Sequence, residues 1–132
     1  KGPIIDRVNG ALVADRPGKT TPYALFHLEP RGKLLSTNGI EVYEGMIIGE
    51  NNRANDMNVD PTREKKLTNI RAAGSDENII LTPVPPLTLE WCIAWIADDE
   101  VVEVTPNHLR LRKRILDPNK RSIIRGPKDD DE

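Results

Sequence analysis

The sequence predicts an α+β domain of short, mostly antiparallel strands curled into a barrel-like sheet, with one packed helix and a long protruding loop. Three observations carry this. Apolar runs of about five residues recur between Gly, Pro and Asn turn signals, the length and punctuation of strands. One segment, 89–97, repeats its apolar residues at helical spacing. Between the run that closes at Gly49 and the run that opens at Asn78 lie roughly 28 residues with only Met57, Val59, Leu67 and Ile70 as large apolar groups, far beyond the usual connection of about 4–6.

The elements follow in order. Residues 1–8 read as a linker from a preceding domain, and 10–14 (GALVA) as a strand. Asp15-Arg16-Pro17-Gly18 then turns the chain, because Pro presets φ and Gly accepts a positive one. Residues 23–29 alternate loosely and are expected to pair with the first strand as a β-hairpin. After Arg31-Gly32, a further strand is expected at 33–36, and Thr37-Asn38-Gly39 is a turn signal. Residues 41–44 lead into the strand 45–49, with Tyr43 in the core and its hydroxyl at the rim. A strand at 78–82 follows the long loop. Pro83, Pro85 and Pro86 cannot donate to a ladder and bridge stiffly onward.

Thr88 caps the helix, whose expected apolar face is Leu89, Cys92, Ile93 and Ile96. Trp91 and Trp95, four apart, read as an adjoining core stripe rather than a nucleobase platform. Asp98-Asp99 sits at the unfavourable end of the helix dipole and stops it. Residues 101–105 form a strand and Pro106-Asn107 a turn. In 108–114, Leu109 and Leu111 face inward while Arg110, Arg112 and Arg114 project from one outer face, about 6.6 Å apart. That repeat is close to the spacing of phosphates along a nucleic-acid backbone; an arginine face is also a normal solvent face of an antiparallel sheet. Asp117 starts a short helical turn, and 126–132 is an acidic tail expected to be mobile.

Composition excludes several classes. A chain of 132 residues, 37% hydrophobic and 30% charged, builds one domain, and with two Trp, two Tyr and one Phe its core must be aliphatic. No run reaches the roughly 18 apolar residues of a membrane span, so no membrane association is expected. Cys92 has no second cysteine to bridge, and neither it nor His27 and His108 has partners at metal-ligand spacing. Gly18-Lys19-Thr20 ends like a phosphate-binding loop, but Val13 stands where that motif requires Gly. Glu41 and Glu44 lack a nucleophile or base beside them. No cofactor or metal site is expected within these residues.

The net charge of −2 does not by itself suggest nucleic acid, but its distribution is uneven. Residues 76–103 hold seven acidic side chains, Glu100 and Glu103 among them, and no Lys or Arg; residues 108–125 hold seven basic ones against Asp117 alone. A cationic face and a separate acidic face are therefore expected. In the long loop, Arg53, Arg63, Lys65, Lys66 and Arg71 stand among Asn51, Asn52, Asn55, Asn58, Thr68 and Asn69. Cations supply phosphate affinity, and amides and hydroxyls bond phosphate, sugar or base edges. The alternatives are a solvated surface loop, or a protein-interaction module using the acidic 76–103 face.

The stretches EVYEGMIIGE (41–50), KKLTNIRAAGSDE (65–77) and DDEVVEVTPNHLRLRKRILDPNKR (98–121) resemble the C-terminal domain of the BipA/TypA translational GTPases, as does 9–34 upstream. The resemblance implies a ribosome-binding module spanning 9–125 of a longer protein related to elongation factor G and LepA. With Lys1 first, the chain is expected to be the C-terminal part of that protein. GTP and Mg would belong to the parent's GTPase domain, whose nucleotide motifs are absent from these residues. By resemblance the partners are rRNA of the large ribosomal subunit and the acceptor end of an A-site tRNA, bound by a monomer in the cytoplasm or an organellar compartment. Lys65, Lys66 and Arg71 would then contact phosphates with Arg53 and Arg63 assisting. Thr68 and Asn69 would add polar contacts, Gly74 would allow close backbone approach, and Leu67 and Ile70 would anchor the loop. Arg110, Arg112 and Arg114 form the secondary surface.

Overall fold

The computed structural model describes residues 7–65 and 79–121. Its centre is a four-stranded sheet in the order β3-β5-β1-β6, built from β1 (Ala11–Ala14), β3 (Gly32–Leu34), β5 (Ile47–Asn51) and β6 (Met57–Val59). β1 runs antiparallel to β5 and parallel to β6, and β3 antiparallel to β5. Two smaller pairs complete the strands: β2 (Gly18–Lys19) with β4 (Glu41–Val42), and the hairpin β7 (Glu100–Val104) with β8 (Leu109–Lys113). Among the described residues these sheets close into no barrel, and the α+β class is realised as layers.

The layering follows from period-2 alternation in strands with no polar side. Every residue of β1 is fully buried. Leu12 and Ala14 enter one core with Leu25, Leu28, Leu34, Val42, Met46, Ile48 and Val59. Ala11 and Val13 enter the other, with Leu35, Ile47, Cys92, Trp95 and Leu111. Helix α1 (Pro22–Leu28) covers the first face; helix α2 (Leu89–Trp95) and the β7–β8 hairpin cover the second. The sandwiched position of β1 is why GALVA reads as a continuous apolar run.

Several expectations are corrected. Residues 23–29 are no strand: they are α1 and the start of a 3-10 turn (Glu29–Arg31), so there are two helices rather than one. Thr21 has extended dihedrals, its Oγ1 accepts from the Ala24 N–H at 3.1 Å, and Pro22 occupies the first helical turn, where its missing N–H costs nothing. Ala24, Leu25 and Leu28 then fall on one buried stripe, which outweighs the loose alternation. The strand expected at 45–49 starts at Ile47 and extends to Asn51, because Gly45 is a turn residue at φ 96°. Residues 79–88 pair with no strand: Leu81 and Val84 pack on the first core, Leu87 on the second, and the Thr82 N–H donates to the Glu29 carboxylate at 2.7 Å. In α2 the buried side chains are Cys92 and Trp95, whereas Leu89 and Ile93 are exposed. The indoles, stacked at 5.6 Å, turn the helix so that its largest apolar area meets the sheet.

The long polar segment contains a strand that its sequence did not predict. After a turn at 52–55 the chain returns as β6, an edge strand of the central sheet, and reaches α1 by residue 62. Gly10 makes that return possible, since a Cβ there would lie 2.1 Å from the Asn55 carbonyl oxygen.

Candidate nucleic-acid interface

The described part of the loop is fastened at both ends of α1. The Thr21 N–H donates to the Pro61 carbonyl at 3.1 Å, and Thr21 Oγ1 donates to the Arg63 carbonyl at 2.5 Å. Asp60 tightens the corner by accepting from both the N–H and the hydroxyl of Thr62. Burial alone would raise the Asp60 pKa; the Thr62 bonds and the nearby Arg16 outweigh it and hold the carboxyl below its ordinary value. At the other end, Asn52 donates its N–H to the Arg31 carbonyl at 2.9 Å and its amide to Pro30 at 3.2 Å.

This sorts the predicted ligands. Arg53 and Arg63 are exposed, Arg53 on the 52–55 turn and Arg63 beside α1 with its guanidinium 5.8 Å from the Tyr23 ring centroid. Lys65 is half-buried where the described chain ends. Lys66, Leu67, Thr68, Asn69, Ile70, Arg71 and Gly74 lie outside the described residues. Asn51 is a structural amide, 2% exposed, donating to the Asn55 carbonyl at 2.6 Å. Between α1 and β6 runs a groove of about 300 Å³ lined by Tyr23, His27, Arg31, Met57, Asp60 and Arg63 among others. Sequence reasoning missed this groove because it mistook α1 for a strand.

The arginine row of β8 is a different case. Register pairs Glu103 with Arg110 and Glu100 with Lys113, so the acidic and basic blocks are zipped together. The expectation of separate cationic and acidic faces is thereby corrected: a hairpin at Pro106-Asn107 folds one block onto the other. Arg112 Nε lies 3.5 Å from the Glu103 carboxylate, and Arg112 also donates to the Lys113 carbonyl. Arg114 donates to the Asp98 carbonyl at 3.3 Å. Arg110 lines a second groove, about 390 Å³, with His108 and Pro85. Glu103 also accepts from the Tyr43 hydroxyl at 2.7 Å; burial, then this carboxylate, push that phenol above its ordinary pKa. Tyr43 thus sits as expected, its ring against the first core and its hydroxyl at the edge.

Lys113, counted among the basic residues, is not on the surface. Its ammonium is 1% exposed and lies 2.7 Å from Asp56, 2.7 Å from Asp99 and 3.0 Å from Glu100. Glu100 is also held by both terminal guanidinium nitrogens of Arg7 and by the Ala97 N–H. Arg7 in turn lies 3.6 Å over the Trp95 ring, and the Trp95 indole donates to Glu50 at 2.8 Å. Asp56 adds a bond from the Ala11 N–H at 2.9 Å. This network ties the 56 corner, the hairpin and the chain entering at residue 7 to one point. Its cations are side chains, and the described residues hold no group of three or more His, Cys, Asp or Glu arranged for a metal ion. Cys92 is buried, which raises its thiol pKa and makes it an unreactive core residue.

The TypA/BipA C-terminal domain model matches residues 9–118. The chain belongs to this family. The BipA relatives agree. The large ribosomal subunit assembly factor BipA of Buchnera aphidicola (subspecies Baizongia pistaciae) is 52% identical over 116 residues, which is 88% of this chain and 19% of the relative. The protein of the same name from Escherichia coli K12 is 49% identical over 130 residues, 98% of this chain and 21% of the relative. That from Salmonella typhimurium is 48% identical over the same length. The chain thus spans about one fifth of the BipA relatives it matches. Both the entry at residue 9 and the β8 hairpin fall inside the family match.

Proposed function

We propose that this TypA/BipA C-terminal domain binds RNA of the large ribosomal subunit and the acceptor end of an A-site tRNA, as the 9–125 module of a longer translational GTPase. Support comes first from family: relatives about half identical over nearly the whole chain are named large ribosomal subunit assembly factors. The observation that carries the site assignment is the root of the loop. Arg63 and Lys65 leave α1 directly before Lys66, Thr68, Asn69 and Arg71, and Thr21 fixes the point of departure. A cationic segment anchored at its base spends less entropy on ordering when it meets phosphates. Arg53 flanks it, and Arg110 lies across the hairpin from Glu103 and lines the second groove.

In this reading the domain performs no chemistry of its own. GTP and Mg would be held by the preceding domain of the parent, and the domain would act as a monomer on cytoplasmic or organellar ribosomes. The described residues contain no helix long and apolar enough to cross a membrane. The rival reading, a protein-interaction module built on the acidic 76–103 face, is weakened because Glu100 is buried and Glu103 is engaged by Tyr43 and Arg112. Each phosphate neutralised releases condensed counterions, so affinity for isolated large subunits is expected to fall steeply as salt rises. Binding that does not change with salt would contradict RNA as the partner.

A further inference from the structure

The geometry points to the α1–β6 groove as a pocket for one unstacked RNA base, which lies against Tyr23 and His27 while Arg31 and Arg63 meet its phosphates. This rests on the RNA reading above and adds a subsite built from residues other than the 66–71 segment. The argument begins with α1. Tyr23 and His27 are one turn apart on a seven-residue helix, so their rings share a face, with centroids 4.4 Å apart at 50°. Phe26, 45% exposed, meets His27 edge-on at 5.8 Å. Two of the chain's five Phe, Trp and Tyr residues stand with a histidine on this one short surface helix, and the buried side of α1 is Ala24, Leu25 and Leu28. The rings are therefore not there to build the core.

The surroundings fit a nucleotide. Arg63 stands over Tyr23 on one side of the groove; Arg31 stands on the other, its guanidinium 3.9 Å from the Met57 sulfur on the groove floor. The acidic lining residue, Asp60, accepts from Thr62, lies 3.5 Å from Arg16 and also draws on the charge of Arg63, so with Arg31 and Arg63 against Asp60 the groove lining keeps one net positive charge. His27 Nδ1 lies 2.9 Å from the Tyr23 carbonyl. A carbonyl only accepts, so Nδ1 carries the proton and Nε2 is the ring's acceptor, suited to a ribose 2′-hydroxyl or a base amino group. The volume, about 300 Å³, lies at the lower end of the roughly 300–1,000 Å³ typical of small-ligand sites. Stacking on aromatic rings with flanking cations is how proteins hold single-stranded RNA.

The test compares the chain with its Tyr23→Leu, Tyr23→Phe and Arg31→Gln variants. Each is titrated with a short single-stranded oligoribonucleotide, with the same strand lacking its bases, and with isolated large subunits. The wild type is expected to prefer the base-bearing strand by about tenfold, Tyr23→Leu to lose that preference, and Tyr23→Phe to keep it. Tyr23→Leu keeps the wild-type salt slope, whereas Arg31→Gln lowers it by about one phosphate contact. If Tyr23→Leu and Arg31→Gln both match the wild type on the oligoribonucleotide, the pocket assignment falls, and salt-sensitive subunit binding still leaves the RNA reading standing. If the wild type binds neither RNA probe, both fall together. An acidic peptide that displaces the oligoribonucleotide and depends equally on Tyr23 would also overturn the assignment to a base.

Discussion

At the scale of single residues, Lys113 decides most. It neutralises three carboxylates from two segments, so removing its charge leaves Asp56 and Glu100 buried without it, a loss of roughly 3–5 kcal/mol for a broken buried pair. Lys113→Met is expected to lower the urea midpoint of unfolding accordingly. The wild type has its own pH signature. Burial would raise the Glu100 pKa, but Arg7, then Lys113 and the Ala97 N–H, hold it below its ordinary 4.5; that stability is complete above 4.5 and lost as pH falls through the lower folded value. Burial would lower Lys113, but Glu100, Asp56 and Asp99 hold it above its ordinary 10.5; that stability is complete below 10.5 and lost as pH rises through the raised value. Urea unfolding of the wild type should therefore show a plateau between roughly pH 5 and 10, and a steady decline across that range would contradict the network. Lys113 was legible in part: it shares the alternation phase of the inward-facing Leu109 and Leu111. What the sequence did not disclose was the acidic partner from the 56 corner, 57 residues away, because nothing local specifies that meeting.

At the scale of elements, α1 links fold to function. Thr21 Oγ1 caps the helix and holds the Arg63 carbonyl with the same hydroxyl. Thr21→Ala should cost about 1 kcal/mol in thermal unfolding, as other lost caps do, and should also weaken large-subunit binding; Thr21→Ser should restore both. A stability loss with unchanged binding would show that the anchor is not part of the interface. The Thr-Pro pair followed by Ala24, Leu25 and Leu28 was a readable helix start, but a competing alternation of apolar residues obscured it. Strands β1, β5, β7 and β8 and helix α2 were legible because their patterns were long or fully apolar. β6 was not, since three residues of an edge strand, Met57–Val59, are held by β1 and not by their own propensity.

At the scale of the whole molecule, the sheet divides the domain into a face carrying α1 and the loop root and a face carrying α2 and the hairpin. Arg7 clamps the entering chain to the second face through Glu100 and Trp95. Charge segregation along the chain suggested two opposed faces, and folding cancels it within the hairpin. In the RNA reading proposed above, the cationic surface lies beside α1, where Arg31 and Arg63 are exposed. The most direct measurement is the affinity of isolated large ribosomal subunits for the wild type, for Lys65→Ala/Lys66→Ala/Arg71→Ala, and for Arg110→Gln/Arg112→Gln, across a salt titration. The account predicts a loss of at least tenfold and a shallower salt slope for the first variant, with a smaller loss for the second. Equal binding by the loop variant and the wild type, with the loss confined to the β8 variant, would contradict it.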